Sequence, residues 1–111
     1  MGKQYYRMEN INDQQLNKYQ VTVYFHMDDE FMTFVPSHRI YINSLIEKNI
    51  LDYYTVSMET QKSWMVFNAA SKVVVEEYLR KSLLYKYWVV EIDELFVYDG
   101  QSYRLPALQL N

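Results

Sequence analysis

Few side chains in this chain can move a proton. There are two histidines, His26 and His38, and no cysteine, which removes disulfides, a thiol nucleophile and any cysteine-based zinc site. Among the carboxylates Glu91 stands out. Tyr87, Val89 and Glu91 alternate with Trp88, Val90 and Ile92, a period of two that sets Glu91 on a strand face with aromatic and apolar neighbours. A carboxylate in dry surroundings has its pKa raised by desolvation and can serve as a general base. The same residue exposed near a strand end, or paired with a lysine at a subunit interface, does no chemistry. His26 follows Tyr24 on one phase of an alternating segment. It is either a proton shuttle near neutral pH, with Tyr24 assisting, or a hydrogen-bonded residue at a strand–helix junction. His38 lies near the apolar stripe of a helix and reads as core or interface packing. Arg39, one residue off that stripe, either reaches a carboxylate ligand or forms a surface or inter-subunit ion pair.

Aromatic residues form the second group of candidates. The chain of 111 residues holds 12 Tyr, 5 Phe and 2 Trp, and Tyr suits half-buried walls because its ring is apolar and its tip polar. Tyr24, Tyr54, Trp64 and Tyr87 can line a cavity for a flat, mostly apolar ligand, or interlock and fill that space. No metal site is expected. The one local pairing, His26 with Asp28 or Asp29, matches no closed-site spacing. A glycine-rich phosphate loop and a Gly-x-Ser-x-Gly elbow are both missing, so no cofactor is implied and no motif identifies a reaction.

Charge narrows the partners. The net charge of −3 and pI near 5.3 argue against a nucleic-acid backbone. Lys72, Arg80, Lys81 and Lys86 alternate with Glu76 and Glu77, the pattern of a solvated helix face. No signal-peptide pattern opens the chain, and no apolar run approaches the ~18 residues that cross a bilayer. The expected location is cytoplasmic, with no membrane partner.

The elements that must position these residues follow from hydrophobic period. Residues 1–18 are polar and aperiodic and read as an arm. A strand is expected over about Tyr19–Met27, with Val21, Val23 and Phe25 turned toward helices. Asp28 is the expected N-cap of a helix reaching about Lys48, kinked or restarted at Pro36, with Asn49 as its left-handed C-cap. Strands follow at about Leu51–Met58 and Ser63–Ala69, joined by the polar loop Glu59–Lys62. Ser71 caps a helix running to about Ser82, and a last strand spans about Lys86 to Tyr98. The tail, 99–111, carries Leu105-Pro106-Ala107-Leu108 and is expected to pack on the domain or on a partner subunit. This order gives one α+β domain over 19–98, a ferredoxin-like βαββαβ fold with a four-stranded antiparallel sheet and both helices on one face. Tyr24, Trp64, Val66, Tyr87 and Val89 are then left on the other face. A second copy of the chain is the expected cover, making a homodimer or higher homo-oligomer.

Two segments carry a family resemblance. Trp64-Met65-Val66-Phe67-Asn68-Ala69, and after the intervening helix Leu83-Leu84-Tyr85-Lys86-Tyr87-Trp88-Val89-Val90-Glu91-Ile92-Asp93-Glu94-Leu95, resemble muconolactone delta-isomerase, and more closely uncharacterised bacterial relatives of it. The resemblance covers roughly residues 19–98. It implies a dimeric α/β barrel and an enzyme that moves a proton within an unsaturated lactone without metal or organic cofactor. Glu91 matches the family's Glu-Ile/Val-Asp segment and would be the base, with Tyr24 or His26 assisting. Tyr54, Trp64, Asn68, Tyr87 and Arg39 would hold a small unsaturated organic acid or lactone. Departures accompany the match: Ser82 and Lys86 stand where prolines are expected, and Tyr24 where the family's opening strand has a lysine. Two alternatives stand beside this reading. One is a non-catalytic homo-oligomeric module with a filled barrel. The other is a cofactor-free oxygenase or haem-binding relative of the same barrel.

Overall fold

A computed structural model describes residues 16–100. Its elements run β1 (Asn17–Phe25), α1 (Phe31–Glu47), β2 (Leu51–Ser57), β3 (Lys62–Ala69), α2 (Lys72–Arg80), a single 3-10 turn at Tyr85–Tyr87, and β4 (Trp88–Glu94). The strands form one sheet in the order β2-β3-β1-β4, every neighbouring pair antiparallel. This is the ferredoxin-like α+β arrangement. Alternation along β1 decides which side is the core: Tyr19, Val21, Val23 and Phe25 are buried, and they cluster with Ile42 and Leu45 of α1 and Val75 and Leu79 of α2. Both helices therefore cover the same face. No helix among the described residues is long and apolar enough to cross a membrane.

Local chemistry sets the helix ends. Asp28 works from upstream of the cap position, which Glu30 occupies. Its Oδ1 accepts the N–H groups of Glu30 and Phe31 at 2.9 and 3.0 Å, which helps satisfy donors at the helix start. Pro36 neither ends nor restarts α1, which is continuous through it. The carbonyl that loses a partner belongs to Met32, 61% exposed, so water can take over that bond. Asn49 closes the helix at φ 63°. Its N–H bonds to the Ile46 carbonyl and that of Ile50 to the Leu45 carbonyl, the paired bonds of a Schellman end. Ser71 caps α2 by accepting the Val74 N–H at 3.3 Å.

Several boundaries differ from expectation, among them the end of the last strand, at Glu94 and not near Tyr98. β1 begins at Asn17, so Asn17 and Lys18 belong to the sheet and not to the arm, and it ends at Phe25. The second helix stops at Arg80. The last strand starts at Trp88, because Tyr85–Tyr87 form a 3-10 turn. This corrects the placement of Tyr87: its ring is buried on the helix side, 5.1 Å from Phe31 and edge-on to it, not on the face of Val89 and Glu91. Residues 1–15 of the expected arm, and the Leu105–Leu108 tail, lie outside the described residues.

Candidate functional site

A cavity of about 300 Å³ opens between α1 and the β2–β3 end of the sheet, within the size range of small-ligand pockets. Phe31, Met32, Val35, His38 and Arg39 enter it from α1, Tyr54, Val56 and Met58 from β2 and the turn after it, and Ser63 from β3. Phe25, Leu84 and Trp88 complete the lining. The walls are overwhelmingly apolar. Helical period explains the α1 contribution: Phe31, Val35, His38 and Ile42 recur at three- and four-residue spacing and turn toward the sheet. A register shift between Leu51 and Tyr53 then turns Tyr54 and Val56 to the helix side, paired with Met65 and Ser63.

The polar floor of the cavity is a chain of hydrogen bonds through His38, which is 1% exposed. Its Nδ1 lies 2.7 Å from Ser82 Oγ and its Nε2 2.9 Å from the Tyr54 hydroxyl. Ser82 Oγ also accepts the Leu84 N–H at 3.0 Å. Ser63, whose hydroxyl donates to the Thr55 carbonyl at 2.7 Å, lines the cavity beside them. Edge-on rings of Tyr54 and Trp88, centroids at 5.4 and 5.6 Å, hold the imidazole. Burial, helped by the Arg39 charge, lowers the His38 pKa to about 4, so the ring is neutral near pH 7. Burial raises the Tyr54 hydroxyl, although Arg39 and Ser63 pull the other way. At the exposed rim the Arg39 guanidinium sits 5.9 Å from the centre of the Tyr54 ring.

The residues singled out in the sequence divide between this cavity and other places. Tyr54 and Arg39 line it together. Glu91 lies on the opposite face of the sheet, exposed, and accepts a 3.4 Å hydrogen bond from Tyr24. Trp64 is on that face too, in register with Thr22 and Thr55. Asn68 donates to Asp52 Oδ1 at 2.8 Å and to the Asn49 carbonyl at 3.1 Å, which ties the α1–β2 connection to the sheet edge. His26 is exposed beyond β1, its ring edge-on to Tyr87 at 5.7 Å. Tyr87 donates to Asp28 Oδ1 at 2.9 Å. Burial and that bond push its hydroxyl up to about 12. Burial pulls Asp28 upward, but Tyr87, the two capping N–H groups and Lys86 outweigh it and hold the carboxyl below its usual range. In one chain, then, Glu91, Tyr24 and His26 are not brought to the cavity.

His38, read from the sequence as core or interface packing, is buried; its pairing with Ser82 is what the sequence reading did not anticipate. A usable signal existed: a histidine inside an apolar stripe must find partners for two ring nitrogens. Ser82, one of the departures from the resembled family's prolines, is that partner. Among the described residues no group of three or more His, Asp or Glu is placed to hold a metal ion, and both His38 nitrogens are engaged. No protein-family model matches the chain, and no curated protein matches it either.

Proposed function

We propose that the protein binds a small, flat organic molecule, an unsaturated acid or lactone in class, in the cavity between α1 and the sheet. The observation that carries this reading is the combination of an apolar cavity of about 300 Å³ with one buried polar cluster at its floor and one cation, Arg39, at its rim. A few placed polar groups in an apolar pocket orient a ligand. Binding without turnover is favoured. A proton shift needs a free base at the ligand, and Glu91 is on the far face of the sheet while neither His38 nitrogen is unoccupied. The element order is that of a ferredoxin-like fold, which speaks for architecture and not for reaction.

A thermal-shift panel of single-ring aromatic acids and unsaturated lactones tests this. A ligand at a hundred times its Kd adds about 2.7 kcal/mol, a rise of roughly 10 °C for a domain of this size. Val56→Trp, which places bulk in the cavity from its exposed side, should abolish the rise. An unmoved melting temperature across the panel would refute the reading.

Self-association is a second proposal, and a separate observation favours it. Val89 is 66% exposed and Tyr24 37% on the sheet face opposite the helices, where no described helix lies. Pairing of that face with a second copy would bury both. Sedimentation velocity should then show a dimer that Val89→Lys dissociates; a wild-type monomer at high concentration would end this proposal.

A further inference from the structure

We infer that the mouth of the cavity is an oxidation site: a peroxide converts Met32 and Met58 to their sulfoxides, and the cavity then holds apolar ligands less tightly. The loss of affinity rests on the binding role proposed above; the site of oxidation does not. Sulfur chemistry narrows the candidates first. The chain has no cysteine and six methionines, so thioethers are the sulfur atoms an oxidant meets. Four of the six fall within the described residues. Met65 is 0% exposed and belongs to the core cluster. Met27 is partly exposed just past β1 and takes no part in the cavity lining. Met32, in the first turn of α1, and Met58, after β2, are 61% and 55% exposed, and both line the cavity.

These two side chains meet solvent on one side and the cavity on the other. With Val56, also exposed, they make the rim of the mouth apolar. An unbranched thioether adapts to the shape of what it touches, which suits it to that position, and exposure leaves its sulfur open to attack. In the reaction the sulfur lone pair forms an S–O bond as the O–O bond of the peroxide breaks. The transferred oxygen gives its proton to the departing hydroxide, which leaves as water. Sulfur loses two electrons and the peroxide gains them. The product is a polar side chain in place of an apolar one. Its S–O dipole keeps its water, so a ring entering the cavity loses apolar contact at the rim. Sulfoxide reductases reverse the step, and both side chains are exposed enough to be reached in the folded chain.

Two measurements on the full chain test this. After limited treatment with hydrogen peroxide, peptide mass spectrometry should find Met32 and Met58 oxidised at least about tenfold faster than Met65, which reacts only when the core opens. Equal rates, or Met32 and Met58 left reduced, would overturn the site. Calorimetric titration with 4-methylbenzoate, a ring with a carboxylate for Arg39, should show an affinity about tenfold lower after peroxide than before. Circular dichroism should show the fold retained. In Met32→Leu/Met58→Leu, whatever its starting affinity, peroxide should leave that affinity where it was, and Met27→Leu should respond as the wild type does. An unchanged wild-type affinity, a lost fold, or a loss that persists in the double variant would overturn the effect on binding. Failure of 4-methylbenzoate to bind before peroxide would take the binding role away and this effect with it, whereas the order of oxidation is read without a ligand.

Discussion

The two faces of the sheet each carry a tyrosine hydroxyl against a titratable partner, in opposite surroundings. Beneath α1, Tyr54 and His38 meet at 2.9 Å with the imidazole 1% exposed. On the other face Tyr24 and Glu91 meet at 3.4 Å with both residues exposed. Water competes for the second pair and screens it, so that contact holds little energy. Exclusion of water from the first pair makes each unmade bond costly and fixes which atom carries each proton. Residue types alone rank the Tyr24–Glu91 pair as the more reactive. Desolvation makes the Tyr54–His38 pair the more firmly held of the two.

The largest difference is expected between the two histidines. His38→Ala leaves Ser82 and Tyr54 without their partner and enlarges the cavity, which should cost about 3–5 kcal/mol in urea unfolding. His26→Ala should stay within about 0.5 kcal/mol. Similar losses in the two variants would erase the contrast between the faces.

Acid should act through the same residue. The His38 pKa falls from 6.5 to about 4 on folding, so between those values the unfolded chain binds more protons than the folded one. The contribution is complete above pH 6.5 and is lost as pH falls toward 4, by about 3 kcal/mol. Stability measured across that window should drop, and His38→Gln should flatten the slope. Asp28, held below its ordinary range, adds a loss of the same sign at still lower pH.

A smaller effect separates the tyrosines. Tyr54→Phe leaves His38 Nε2 without its partner and should cost about 1–2 kcal/mol, whereas Tyr24→Phe and Glu91→Gln should each lie within about 0.5 kcal/mol in the single domain. Denaturation midpoints at equal m-value settle the order.

Much of the molecule was legible from period and cap chemistry. The alternation Val21, Val23, Phe25, the Ser71 cap and the left-handed Asn49 are local signals, and local signals survive folding. Of the two outcomes expected at Pro36, a restart is excluded, since α1 runs unbroken through it. Tyr87 misled because a period of two was extended through Tyr85–Tyr87, where a 3-10 turn shifts the phase and sends the ring into the core.

Element order, the buried side of β1 and the amphipathic helices were written in the chain, since each depends on residues within a few positions of one another. The site was not. His38, Tyr54 and Ser82 come from α1, β2 and the segment after α2, as much as 44 residues apart, and they form one chain of hydrogen bonds only when packing removes water from all of them together. Burial and hydrogen-bond partners belong to the assembled volume, so tertiary structure alone made these three residues a unit and left Glu91 in solvent.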